Sequence, residues 1–152
     1  MTKIILAFPG TGKTHFFTNN PNCIDSDSSN FSWIKDENGN NTRERNPDFP
    51  VNYIKHIEDN IGKVEYIFVS SHEQVRKALV DKRMNFILIY PAKNLKNEYI
   101  QRFIERGDSE AFINVVESNW DKWIKDCSNQ DMCQKCELYA GEYLSDVIHK
   151  TY

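Results

Sequence analysis

The run Gly10-Thr11-Gly12-Lys13-Thr14 holds the densest chemistry in the chain. Ala7, then four residues, then Gly12-Lys13-Thr14 fits a phosphate-binding loop, with alanine standing where a first glycine is usual. Small residues let backbone N–H groups wrap an anion, and a helix beginning there adds partial positive charge. Pro9, Gly10, Thr11, Gly12, Lys13 and Thr14 are therefore candidate ATP-binding residues. Lys13 can reach the β- and γ-phosphates and is a candidate catalytic group, while the Thr14 hydroxyl can bind magnesium. A short pattern can match by chance. The context that argues otherwise is a buried-strand signal before the loop and a helix signal after it.

Asp25-Ser26-Asp27 is the second candidate cluster. It follows a short apolar pair, Cys23-Ile24, and reads as the carboxyl end of a strand. Such ends face the ligand crevice of an open parallel sheet. Residues two apart in an extended chain point the same way. One of the two can orient magnesium, and the other can accept a proton from an attacking hydroxyl. The alternative is a plain turn, for which Asp and Ser are common. Arg102 and Arg106 lie four apart and share a helix face. Cations placed there can neutralise charge on a transferred phosphoryl group. The alternative is a solvated face, helped by Glu98 four residues before Arg102. His72 is more often structural than catalytic in such a position.

An apolar strand, then Gly10-Thr11-Gly12-Lys13-Thr14, then Asp25-Ser26-Asp27 resembles the small phosphate-loop kinases, both the shikimate kinase group and the nucleoside monophosphate kinases. The resemblance covers most of the chain in layout, and about the first 30 residues by motif. It implies ATP and magnesium as cofactors and a three-layer α/β/α sandwich with five parallel strands. It also implies an acceptor-binding insertion over about 28–60 and a lid over about 92–108. Asp27 matches the residue that contacts the acceptor hydroxyl, and Arg102 and Arg106 match paired lid arginines. Arg76 and Arg43, with Arg45, lie in regions that hold the acceptor's phosphate in similar kinases. Ala140 and Gly141 match the loop that carries adenine. The family's Gly-Phe-Pro-Arg run is absent here, replaced by Ser70-Ser71-His72-Glu73-Gln74-Val75-Arg76. That leaves the acceptor open.

The elements that must position these groups alternate along the chain. Lys3 to Phe8 reads as a strand buried on both faces, as in a parallel sheet. A helix is predicted from about Gly12 to Thr18, stopped by Pro21. Residues 35–50 are polar and rich in Asn and read as a long loop. Tyr53, Ile54, Ile57 and Ile61 fall at helical spacing, Val64 to Val69 reads as a third strand, and Ser71 as the cap of a helix carrying Val75 and Leu79. Phe86 to Tyr90 reads as the fourth strand, Asn94 to Arg106 as a helix ended by Gly107, and Asp108 as the cap of the next helix. That helix carries Phe112, Val115, Val116, Trp120, Trp123 and Ile124 on one stripe. A weak fifth strand is predicted around Cys136 to Tyr139, and a helix from Glu142 to Lys150. The alternation predicts one domain over 1–152, an α/β phosphate-loop fold with a parallel sheet.

The 152 residues suit one domain, and 39% hydrophobic content suits a folded one. A net charge of −3 offers no global basic field for nucleic acid. No apolar run approaches the ~20 residues of a membrane span. A soluble, cytoplasmic monomer or homodimer is expected. Cys133-Gln-Lys-Cys136 reads as reduced thiols ahead of zinc, for which Cys127 and His149 would be irregularly spaced further ligands. The residues thus point to transfer of phosphate from ATP to a small acceptor, a nucleotide or nucleoside first. The alternatives are a non-nucleotide alcohol, a nucleic-acid hydroxyl, or an ATP-binding module without catalysis.

Overall fold

The apolar run at the start becomes β1 (Lys3–Ala7), with Ile4, Ile5 and Leu6 all buried. It is buried on both faces because it lies mid-sheet, paired in parallel with β5 (Tyr66–Val69) on one side and β6 (Ile87–Pro91) on the other. β2 (Cys23–Ser26) adds to β5 at one edge, and β7 (Gln134–Leu138) adds to β6 at the other, both parallel. The order is β2-β5-β1-β6-β7. Four of the five strands were predicted from apolar runs. The weak one, β7, also forms, and its only fully buried residue is Leu138. The computed structural model describes residues 2–26 and 28–151.

Side chains alternate across a pleated strand, so the sheet feeds two cores. Ile4, Leu6, Ile67, Val69, Leu88 and Tyr90 face one side. There they meet α3 (Val51–Asn60), α4 (Glu73–Asp81), α5 (Lys96–Glu105) and α6 (Glu110–Ser128) through residues such as Tyr53, Leu79, Phe103 and Trp120. Ile5, Tyr66, Phe68, Ile87 and Ile89 face the other side, against Phe16 of α1 (Lys13–Asn19) and Leu144 of α7 (Leu144–Val147). The result is an α/β fold: a five-stranded parallel sheet with helices on both faces.

Three local departures have clear causes. Residues 35–50 are not one loop. β3 (Trp33–Lys35) and β4 (Asn41–Arg45) pair as an antiparallel hairpin, after the short α2 (Ser29–Ser32). Asp36 closes its turn, its Oδ1 accepting from the backbone N–H groups of Asn38 and Asn40, each at 2.9 Å. The cap of α6 is Ser109 rather than Asp108, its Oγ accepting from Phe112 N at 3.2 Å. Asp108 is used instead by Arg106, and its N–H returns to Phe103 O at 3.0 Å. That bond closes α5, with Gly107 at φ +79°. His72, not Ser71, occupies the cap position of α4.

Residues 92–108 do not stand off as a flap. Tyr99 and Phe103 of α5 are fully buried, Tyr99 against Trp120 at 5.6 Å between rings. Trp120 Nε1 donates to Lys93 O at 2.8 Å and fixes the turn that precedes α5. No helix among the described residues is long and apolar enough to cross a membrane.

Candidate functional site

Phe8 N donates to Ile89 O at 2.9 Å, the last sheet bond before the chain turns away. The turn then folds on itself. Thr11 is buried, and its Oγ1 donates to Phe8 O at 2.8 Å. The loop carbonyls are held from outside: Gly10 O accepts from Arg102 Nη1 at 2.7 Å, and Thr11 O from Leu144 N at 2.8 Å. Gly10 and Gly12 have φ of +83° and +90°, the region that disfavours any side chain. Space excludes one too. A Cβ at Gly10 would lie 2.9 Å from Phe103 Cε1, and one at Gly12 would lie 2.9 Å from Tyr143 Cδ1. The loop can therefore be made only with glycine at these two places.

The loop opens on a cavity of about 560 Å³ lined by Gly10, Gly12, Lys13, Thr14, Ser71 and Arg106, among others. That volume is in the range of small-molecule sites. A glycine cradle with Lys13 and Arg106 on its walls fits phosphate oxygens in shape and charge. Lys13 Nζ lies 3.2 Å from Asp25 Oδ1. Both side chains are more than a third exposed or nearly so, at 37% and 34%, so the pair contributes at most about 1 kcal/mol. Asp25 sits on edge strand β2, level with Phe68 of β5. Thr14 is exposed beside Lys13. Among the described residues no three or more His, Cys, Asp or Glu side chains gather as a metal site. Asp27 lies outside the described residues.

The two arginines of α5 part company. Arg102 is only 12% exposed and is a clamp. Besides Gly10 O, it donates to Glu142 O at 3.1 Å and to Glu98 Oε2 at 2.9 Å. Its guanidinium lies between two rings, 4.3 Å from the centre of Tyr99 and 4.0 Å from that of Tyr143. Its charge is thus directed at backbone carbonyls and Glu98, not into the cavity. Arg106 is half-exposed, pairs with Asp108, and lines the cavity.

Ala140 and Gly141 form an exposed turn after β7. Gly141 N donates to Glu98 Oε1 at 3.2 Å, and Tyr139 N to Glu142 Oε1 at 2.7 Å. Through Glu98 and Arg102 this turn is tied to the phosphate loop. Arg43 lies exposed on the β3–β4 hairpin and is not among the cavity's walls. Arg45 of the same hairpin lies over Trp33 at 4.4 Å.

Arg76 is buried on α4. Its Nη1 donates to Ser71 O at 3.0 Å and lies 3.9 Å from Cys127 Sγ, and its Nε has no acceptor. Leaving a buried donor unpaired costs about 1–3 kcal/mol. Burial pushes the Cys127 thiol up to about 11, against the opposing charge of Arg76. Burial likewise pushes the Tyr99 hydroxyl up to about 12, partly offset by Arg102. The cysteines are free thiols.

Tyr143, Glu98 and Phe112 belong to this site and were not singled out from the sequence for it. Only Glu98 left a signal, its spacing to Arg102. Compared with protein-family models and with curated proteins, the chain matches none.

Proposed function

We propose that the chain is an ATP-dependent phosphotransferase of the phosphate-loop type, moving the γ-phosphoryl group to a small acceptor, by preference a nucleotide or nucleoside. One observation carries this reading. A loop with two obligatory glycines leaves the central strand of a parallel sheet and opens on a cavity walled by Lys13 and Arg106. Ligands of open α/β sheets bind at such carboxyl ends.

In this reading Pro9 to Thr14 bind the phosphates of ATP. Lys13 and Arg106 draw charge from the γ-phosphoryl group as the acceptor oxygen bonds to phosphorus and the bond to ADP breaks. Magnesium, when bound, neutralises phosphate charge, and Thr14 and Asp25 are the residues that would hold it. Asp27 orients an acceptor hydroxyl and takes its proton, whereas a nucleoside monophosphate is already ionised and needs no such base. β5 runs into Ser70-Ser71-His72 and β6 into Pro91-Ala92, so neither ends in the acid that motors and switches carry there. That favours transfer over hydrolysis.

The test is ADP release from ATP across a panel of nucleosides, nucleoside monophosphates, shikimate-like alcohols and short oligonucleotides. At least one acceptor should raise release well above background, and Lys13→Ala should abolish the increase. If ATP binds and no acceptor raises release, the chain is a binding module and the kinase reading fails.

A further inference from the structure

A second cavity, of about 260 Å³, adjoins the phosphate-loop cavity and shares Phe8, Pro9, Ser71, His72 and Phe112 with it. It runs between the start of α4 and the middle of α6. Phe8 and Trp123 meet edge to face at 6.4 Å on one side, and Phe112 closes the rim. Arg76 forms part of its wall with its Nε unpaired, and no carboxylate comes within ion-pair distance of that guanidinium among the described residues. Glu73 also lines it, with Lys122 and Asp126, which pair at 2.7 Å.

We infer that this slot holds the base of the acceptor nucleotide or nucleoside, an inference that rests on the kinase reading. Aromatic walls suit a flat ring, which gains contact area at little entropic cost. The volume lies below the usual range of about 300–1,000 Å³ for drug-sized ligands, so it takes one ring system rather than a chain of nucleotides. Arg76 supplies the donor and Asp126 or Glu73 an acceptor, which matches a base edge carrying a carbonyl or ring nitrogen beside an N–H. Arg76 and Lys122 balance Glu73 and Asp126 on the walls of the slot, whereas the adjoining cavity is lined by Lys13 and Arg106 and, among the described residues, by no carboxylate, so the acceptor's phosphate or hydroxyl points past Pro9 toward those two cations. A shikimate-like alcohol offers a puckered, hydroxylated ring rather than a flat aromatic one.

Equilibrium binding without ATP tests this, by calorimetry and by quenching of Trp123 fluorescence. The probes are the monophosphates of adenosine, guanosine, cytidine, uridine and thymidine, with ribose 5-phosphate as the base-free control. At least one nucleotide should bind at least tenfold more tightly than ribose 5-phosphate. The preference should persist in Lys13→Ala, which removes competition from the phosphate loop. Arg76→Met and Phe112→Ala should each remove at least tenfold of it. Phe112 is at the rim, so its variant carries the test if Arg76→Met fails to fold. Equal binding of ribose 5-phosphate and every nucleotide overturns the inference, as does unchanged preference in the variants. Base-dependent binding without any transfer would leave the slot and sink the kinase; transfer indifferent to the base would do the reverse.

Discussion

Arg102 separates two readings that a sequence cannot. A lid arginine acts on the reaction and little on stability; a clamp acts first on stability. Arg102→Met keeps most of the stem's packing and removes the charge. Two donated bonds to backbone carbonyls are lost, at 2.7 and 3.1 Å, each charge-assisted and contributing about 1.5 kcal/mol. Two ring contacts, at 4.3 and 4.0 Å, add about 0.5–1 kcal/mol each. The Glu98 pair adds less, because that carboxylate is a third exposed and still accepts from Gly141 N. Allowing for overlap among these terms, the variant should be about 3 kcal/mol less stable. For a domain this size that lowers Tm by about 6–12 °C. Urea unfolding followed through buried Trp120 measures it with no nucleotide present. ATP affinity should fall as well, since Gly10 loses its anchor. A loss under about 1 kcal/mol together with a large fall in phosphoryl transfer would refute the clamp and restore Arg102 to the chemistry.

Arg106→Met is the counterpart: half-exposed, it should change stability by less than about 1 kcal/mol yet lower transfer by at least a hundredfold in a single-turnover assay. Gly12→Ala should abolish ATP binding in equilibrium dialysis, because its Cβ meets Tyr143 Cδ1 at 2.9 Å and φ is +90°. Alkali should destabilise the fold. Tyr99 ionises at 10.0 when free and about 12 when folded, so its contribution is whole below pH 10 and is lost as pH rises through that interval. The full loss is about 2–3 kcal/mol, and melting temperatures of Tyr99→Phe from pH 9 to 12 should fall less steeply than those of the parent.

The parallel sheet was legible because its three central strands, β1, β5 and β6, are continuous apolar runs, which is how strands buried on both faces must read. The hairpin was not. Asn38-Gly39 is a turn signal, but Asn41 to Arg45 is polar on both faces and largely exposed, so apolar alternation has nothing to report. The glycines and Lys13 of the loop were legible because backbone geometry and local spacing fix them. The fate of Arg102 was not, because its partners Gly10 and Glu142 lie 92 and 40 residues away. Only the fold brings them together. Arg76 shows the same limit: its helix position was readable, its burial against Cys127 of α6 was not.

The charges of the crevice are arranged asymmetrically, and this bears on where an acceptor can sit. β5 and β6, which flank the central strand, end in neutral residues, whereas Asp25 is carried by the edge strand β2. Asp25 meets Lys13 from that edge, and Arg106 approaches from the end of α5 on the other core face. Lys13 and Arg106 therefore reach the cavity at Gly10 and Gly12 from two directions, each with a carboxylate behind it, Asp25 and Asp108. The Lys13–Asp25 pair is exposed enough to hold the ammonium over the loop without withholding it, since such pairs contribute less than about 1 kcal/mol. The remaining open side lies between Ser71 and Phe112, and it leads to the slot beneath Arg76. For the nucleotide acceptor proposed above, charge at the loop would meet the phosphate end and the aromatic walls of the adjoining slot would meet the base.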